Sequence, residues 1–441
     1  MKQIGDIFNE RKDNPLYNTS YPLSPADWRQ YEAEGQLSFD PRPISFYLHI
    51  PFCTQSCSFC EYTRMRCPSE KVQHQYLDIL ENDVKHFLTV HRATVLEGCD
   101  IGGGTPTALC DSAFARLMEL YKYIIEQTSQ TGDYEPSIEA TSGTLGFNRI
   151  RMIAEAGIKR VSIGIQTADR VILHNHKRNC SDPLISVCRT IERLRREGIS
   201  KVNIDLMYGM RNQTLETVDS DIKAIRMLSP QQVTLYELRT NMNGYGFSMS
   251  KEDLFQMYGR YYDALVKMGY HAMFGQNTFS LDSNDKGVSS YLRHRMTEGS
   301  DYVGFGVSAQ SMSRFGVSYN IHKGKVLTDI DLNASSYNSG RHYRLPPSEL
   351  ASKYIAISAY NGRFSLAKVS EILGEDARYH FRDVISFCTD NGLISVDGDT
   401  VNITHDGFKY YGAVFSLFYL PPHLLPSASN NKCDLFSLFL S

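Results

Sequence analysis

Six short runs of β-branched and aromatic residues alternate with longer amphipathic stretches, which predicts an α/β fold of βα units around a parallel sheet. A second observation is a cysteine triplet, Cys53, Cys57 and Cys60, placed directly after the first run. A third is a helix-rich segment that closes in an Asp-Gly hairpin, the pattern of a winged-helix-like C-terminal module.

In chain order, residues 1–45 are rich in Pro, Asn, Tyr and Asp and read as an irregular arm. The predicted strands are Phe46–Ile50, Cys99–Gly102, Ser137–Ala140, Arg160–Ile165, Lys201–Leu206 and Gln232–Tyr236. Helical periodicity covers Lys71–Val90, Ser112–Gln127, Asn148–Ala156, Asp182–Glu197 and Thr214–Leu228. Units of this length suit a barrel-like sheet and equally a doubly wound one. The core thus spans 46–240, and the alternation fades over 241–345, where Asn241–Gly246 and Leu281–Gly287 are polar and turn-rich. A last unit covers 346–420, with helices at Ser348–Tyr360, Leu366–Leu373 and Arg378–Asn391. Two β-runs, Gly392–Val396 and Thr400–Thr404, flank Asp397-Gly398-Asp399, and Thr404 is placed to cap a following helix. A tail, 421–441, ends the chain.

The composition is that of a soluble globular protein, with 42% hydrophobic and 22% charged residues. A net charge of −3 gives no support for a nucleic-acid partner. The polar start, Met1 to Asn14, predicts no signal peptide, and ten irregularly spaced cysteines point to reduced thiols or metal ligands in the cytoplasm. No run of apolar residues is long enough for a transmembrane segment. The longest, Ala413–Leu425, is broken by Pro421, Pro422 and His423, and is the segment in which a peripheral membrane contact is expected.

The triplet has the spacing C-x3-C-x2-C. Three thiolates hold three irons of a [4Fe–4S] cluster and leave the fourth open to a ligand. Cys67, seven residues beyond Cys60, reads as structural. Gly102-Gly103-Gly104-Thr105 follows the second strand, where glycines let backbone N–H groups approach an anionic ligand. Glu139 and Asp205 sit at or near later strand ends, and Gln166 follows the fourth, the arrangement by which a (β/α) barrel gathers a site.

These strings together resemble the radical S-adenosylmethionine (SAM) superfamily, and Tyr47-Leu-His-Ile-Pro-Phe-Cys53 resembles its HemN-like branch. The resemblance implies a partial (β/α)6 TIM-like radical SAM barrel with a C-terminal winged-helix-like HemN-type domain. It implies that Cys53, Cys57 and Cys60 hold the [4Fe–4S] cluster. Tyr47, Phe59, Gly103, Gly104, Thr105, Glu139 and Gln310 are then contacts of SAM, with Gln166, Arg178 and Asp205 assigned to a second SAM. A low-potential electron donor such as flavodoxin or ferredoxin is the implied protein partner. No catalytic residue is identified by the resemblance.

The chain departs from the branch between Leu281 and Ser313. Oxygen-independent coproporphyrinogen dehydrogenases carry an aromatic-Gln-Gly-Tyr-Thr-Thr segment where this chain reads Tyr291-Leu-Arg-His-Arg-Met-Thr-Glu-Gly-Ser300. Heme chaperones of the branch carry a His-Asn-x-x-Tyr-Trp string, whereas the single Trp here is Trp28. The expected function is therefore a class C, two-SAM methyltransferase acting on an sp2 carbon of an aromatic, polycyclic or quinone-like substrate. The alternatives are an oxygen-independent coproporphyrinogen III dehydrogenase and a non-catalytic heme chaperone. Tyr291, Arg293, His294, Arg295 and Tyr302 are the candidates for a substrate pocket.

Overall fold

The computed structural model describes residues 4–13, 29–60, 62–178, 183–238, 248–320, 326–327 and 340–419. Trp28, Asn241–Gly246, the end of the apolar run and the tail lie outside these residues.

The six expected strands form, with ends moved by a few residues. They are β1 (Ile44–Ile50), β2 (Val95–Gly103), β3 (Ser137–Ala140), β4 (Arg160–Gln166), β5 (Lys201–Tyr208) and β6 (Gln232–Glu237). They pair in parallel and in sequence order. A doubly wound sheet reverses its strand order partway, so the monotonic order is that of a barrel. Beyond β6, β7 (Thr278–Ser280) adds antiparallel. On the other side of β1 lies β8 (Tyr302–Phe305), parallel to it. The sheet continues antiparallel through β9 (Gln310–Ser313), β10 (Gly316–Tyr319) and β11 (Arg341–Tyr343). Among the described residues the strand path is open, so the barrel is partial.

Helices pack the outer face because each presents an apolar stripe. On Glu70–Val90 this is Leu77, Leu80, Val84 and Phe87; on Asp111–Gln127 it is Phe114, Leu117, Tyr121 and Ile124. The strands' apolar residues face these helices and join one large core from Ile44 to Val307. Their other faces carry Tyr47, Asp100, Glu139, Asp205 and Tyr236, which point into the barrel. Tyr76 locks the inner edge: its hydroxyl donates to His49 O at 2.6 Å and accepts from Val307 N at 3.1 Å.

A second core runs from Val317 to Tyr419. Its centre is the helix Pro347–Ser358, which is buried over Glu349–Ser358 and so shows little amphipathic signal. Around it lie the helices Leu366–Leu373 and Ala377–Asp390 and a three-stranded sheet whose hairpin turns at Gly398, φ +52°. Thr404 caps the next helix as expected, its Oγ1 accepting from Gly407 N at 3.0 Å.

The first residues correct the irregular-arm reading. Ile4–Asp13 is a helix that docks on the C-terminal domain through Phe8, 5.9 Å from both the Phe387 and Tyr410 rings. Arg11 donates to Ser416 Oγ at 3.2 Å. Ten residues are too few to hold a helix alone, so this one exists through its docking. Glu32–Ala33 likewise joins the sheet, at β11. Among the described residues no helix is long and apolar enough to cross a membrane, and Ala413–Tyr419 is buried in the second core.

Replacing Tyr76 by Phe leaves a buried carbonyl and a buried N–H without their partner. Chemical denaturation is expected to show a loss of about 1–3 kcal/mol.

Candidate active site

The C-terminal ends of the strands open onto one cavity of about 250 Å³. The three cysteines, Glu139, Gln166, Arg178 and Asp205 all line it, together with Phe59 and the Gly103-Gly104-Thr105 turn. Tyr47 stands close by, its phenol raised by burial first and by the neighbouring Glu139 carboxyl second. Gln310 lies apart, at the start of β9, bonded to Tyr302, Arg295 and Tyr319. Between β8 and β9 the chain turns, with Gly306 at φ +91° and Ser308 at +57°.

The cysteine loop is shaped by the backbone around it. Past the end of β1 the pairing with β2 continues, with Gly104 N donating to Ile50 O at 2.7 Å and Thr105 N to Phe52 O at 2.8 Å. This carries Cys53 Sγ to 3.7 Å from Thr105 Oγ1. Gly104 is required there, because a Cβ would stand 2.7 Å from Phe52 O. On the other flank Cys60 N donates to Cys57 O at 3.3 Å. Arg64 then gathers the loop. Its guanidinium donates to Ser56 Oγ at 3.0 Å, Cys57 O at 3.0 Å, Cys60 O at 2.9 Å and Tyr62 O at 3.3 Å. Sequence reasoning missed Arg64, since nothing in an Arg-Met-Arg strand announces a residue that binds carbonyls.

All three site cysteines are free thiols. Burial pushes the Cys53 thiol up to about 12, with Cys60 and Cys57 adding to the rise. A thiol raised in this way becomes a thiolate beside a strong positive charge, such as bound iron. Among the described residues no three ligating side chains converge on one metal ion. A [4Fe–4S] cluster takes one thiolate per iron, so it needs a ring of thiols and not a single point, and the donor set fits it. Cys67 does not line the cavity; its Sγ donates to Ala108 O at 3.5 Å, in keeping with a structural role.

Around the thiols the charges are unusual. Burial, with Asp205 nearby, pushes Glu139 up to about 7, while Gly103 N donates to its Oε2 at 3.1 Å. Burial also raises Asp205, whose oxygens accept from Ser162 Oγ and Asn203 Nδ2, both at 2.8 Å. Asp100, one layer deeper, is raised by burial to about 7. His49 is kept neutral, lowered by burial to about 4. Gln166 holds φ +71° at a bulge between β4 and β5, a conformation costly for glutamine and concentrated at functional sites. Arg178 donates to Gly164 O and reaches Cys57 Sγ at 3.7 Å.

The cavity's other end has an aromatic wall that the sequence did not reveal. Tyr236 and Tyr258 come from the barrel, and Tyr360, Phe408 and Tyr411 from the C-terminal domain. Phe408 and Tyr411 stack at 5.6 Å, and Phe408 lies 4.3 Å from Tyr258. Of the expected substrate-pocket residues, Arg293 and His294 face away. Arg293 pairs with Asp133 at 2.5 Å, and His294 meets Glu298 at 2.8 Å and Glu97 at 3.4 Å. Tyr291, Arg295 and Tyr302 turn inward around Gln310.

Comparison with known proteins agrees with this geometry. Residues 47–225 match the sequence profile of the radical SAM superfamily. The heme chaperone HemW of Bacillus subtilis (strain 168) is 26% identical over 389 residues, 85% of this chain and 98% of that protein. The oxygen-independent coproporphyrinogen III oxidase of Cereibacter sphaeroides is 32% identical over 231 residues, 50% of this chain and 49% of the relative. The solved coproporphyrinogen III oxidase HemN of Escherichia coli superposes with a TM-score of 0.71 at 22% identity, covering 87% of this chain and 92% of its own, and so shares the fold.

Asp100 and Glu139 have ordinary values of 3.8 and 4.5 and folded values of about 7. Between those limits the folded state keeps protons that the unfolded state has lost, so stability is full at low pH and is lost as pH rises towards 7. Denaturation midpoints of the metal-free protein are expected to fall across that window, and to fall less in Asp100→Asn. Replacing Cys57 by Ala is expected to abolish the charge-transfer absorbance and most of the iron after anaerobic reconstitution; iron content and absorbance check it.

Proposed function

This chain belongs to the radical SAM superfamily, in its HemN-like branch, and we propose that it is an enzyme that applies radical chemistry to a tetrapyrrole, with oxidative decarboxylation of a propionate side chain as the reaction. The observation that carries this reading is the single cavity that joins the cysteine loop to an aromatic wall. Pyrrole rings present aromatic faces and edges that such a wall accepts. The relatives are named for coproporphyrinogen oxidation and heme handling.

A [4Fe–4S] cluster with SAM bound supplies a low-potential electron and, from it, the 5′-deoxyadenosyl radical. Cys53, Cys57 and Cys60 would hold the cluster, and Arg64 fixes the loop that carries them. The Gly103-Gly104-Thr105 turn offers backbone close to the cysteines, and Glu139 is placed to accept from hydroxyl groups. Gln166, Arg178 and Asp205 line the adjoining strand ends and are the residues proposed for a second SAM. Phe59 and the aromatic wall exclude water around the reacting atoms. Methyl transfer to an sp2 carbon uses the same two-molecule site and is the second reading, favoured by the altered segment Tyr291–Ser300.

The deciding experiment is anaerobic incubation of reduced, reconstituted protein with coproporphyrinogen III and SAM labelled on its methyl group. Carbon dioxide, a vinyl-bearing product and 5′-deoxyadenosine are expected. S-adenosylhomocysteine with label in the product would replace decarboxylation by methyl transfer. Tight heme binding with no 5′-deoxyadenosine would place the chain with the chaperones. Glu139→Gln is expected to lower 5′-deoxyadenosine formation about tenfold, the loss that follows when a buried hydrogen bond loses one of its acceptors.

A further inference from the structure

Arg295 occupies the segment in which this chain leaves its relatives, and its backbone is unusual. After the helix Ser290–Arg293 the chain makes a π-helical turn, His294–Glu298. Such turns are rare and cluster at functional sites. The segment lies directly on β2, where a Cβ at Gly98 would stand 2.3 Å from Tyr291 N. His294 is thereby directed to Glu97 and Glu298, and Arg295 into the barrel.

Inside, the guanidinium lies over the Tyr302 ring at 4.6 Å and near the Tyr291 ring at 5.9 Å. It donates to Tyr291 Oη at 3.1 Å and to Gln310 Oε1 at 3.2 Å. Its Nε is buried with no partner among the described residues. Gln310 is a neutral acceptor already shared with the Tyr302 hydroxyl at 2.8 Å, and its amide donates to Tyr319 at 2.7 Å. Among the described residues no carboxylate pairs with Arg295. Asp100 bears on it from a distance, but burial pushes that carboxyl up to about 7, and one of its oxygens accepts from Ser289 at 2.6 Å. Lys353, buried on the central C-terminal helix, is lowered to about 7 by burial and by repulsion from Arg295.

A guanidinium uses its charge fully only against a planar anion, and burying it without one is costly. Cation–π contact with the two tyrosine rings offsets part of that cost. The site is also next to the chemistry: Tyr291 stacks on Tyr47 at 5.6 Å, and the field of Tyr62, which lines the cavity, reaches Arg295. We propose that Arg295, backed by Lys353, is the anchor for a carboxylate of the substrate, with the tyrosines around it receiving the adjoining pyrrole ring. The choice of substrate carboxylate rests on the tetrapyrrole reading above; the anion site itself rests on the residues.

The test compares binding of coproporphyrin III and its tetramethyl ester to the reconstituted full-length protein by fluorescence. Wild type is expected to prefer the free acid by about tenfold or more, Arg295→Gln to lose that preference, and Arg295→Lys to keep part of it. An undiminished preference in Arg295→Gln, or none in wild type, overturns the proposal. If neither porphyrin binds, the tetrapyrrole reading fails and the anchor is judged separately, by phenylglyoxal modification of Arg295 read by peptide mass spectrometry. Protection by propionate supports a carboxylate anchor, and its absence overturns it. Protection by SAM and not by propionate assigns the residue to the methionine carboxylate, and so overturns it as a substrate anchor.

Discussion

The pairing of β1 with β2 is the constraint from which the site follows. In that register His49 lies opposite Gly102 and Ile50 opposite Gly103. The ladder then runs past both strand ends, through Gly104 and Thr105. Because strand neighbours are held about 4.8 Å apart, the residue after Phe52 has no freedom to leave the glycine turn. Cys53, the turn and Glu139 are therefore one unit, since Gly103 N is bonded to that carboxylate. A shift of one residue would turn Tyr47 outward and an apolar neighbour inward, removing core and site together.

The barrel interior is polar where a protein core is normally apolar. Asp100, Glu139, Asp205 and His49 are all moved by burial towards their neutral forms. Neutral carboxyls tolerate such an interior at less cost than carboxylates, and they are able to donate as well as accept. Arg295 is the exception, a guanidinium that keeps its charge and lies among phenols and a glutamine. It comes from the π-helical turn, whereas the acidic groups come from β2, β3 and β5.

Much of this was legible in the sequence because the strands are β-branched and the ligating residues follow them closely. Ser137–Ala140 was placed to the residue, and Cys53, Glu139, Gln166 and Asp205 meet in one cavity. The misreadings have physical causes. Ile4–Asp13 has weak helix propensity and forms by docking, which a local pattern cannot register. Arg293, His294 and Arg295 are chemically similar neighbours, and only the π-helical turn decides which of them faces inward. The aromatic wall was invisible because Tyr258 and Phe408 are 150 positions apart and meet only after both units have folded.

That wall changes what the C-terminal unit is. Ala359 belongs to the second core, Tyr411 packs against it and Phe408 packs against both, and all three line the cavity that begins at the cysteines. Any molecule spanning the cavity touches both units at once, and by linkage its binding energy is added to whatever holds them together. The junction between the two cores is thus also a recognition surface. Drift in the small unit, far along the chain from any ligating residue, would alter which substrates fit while leaving the radical-forming residues untouched.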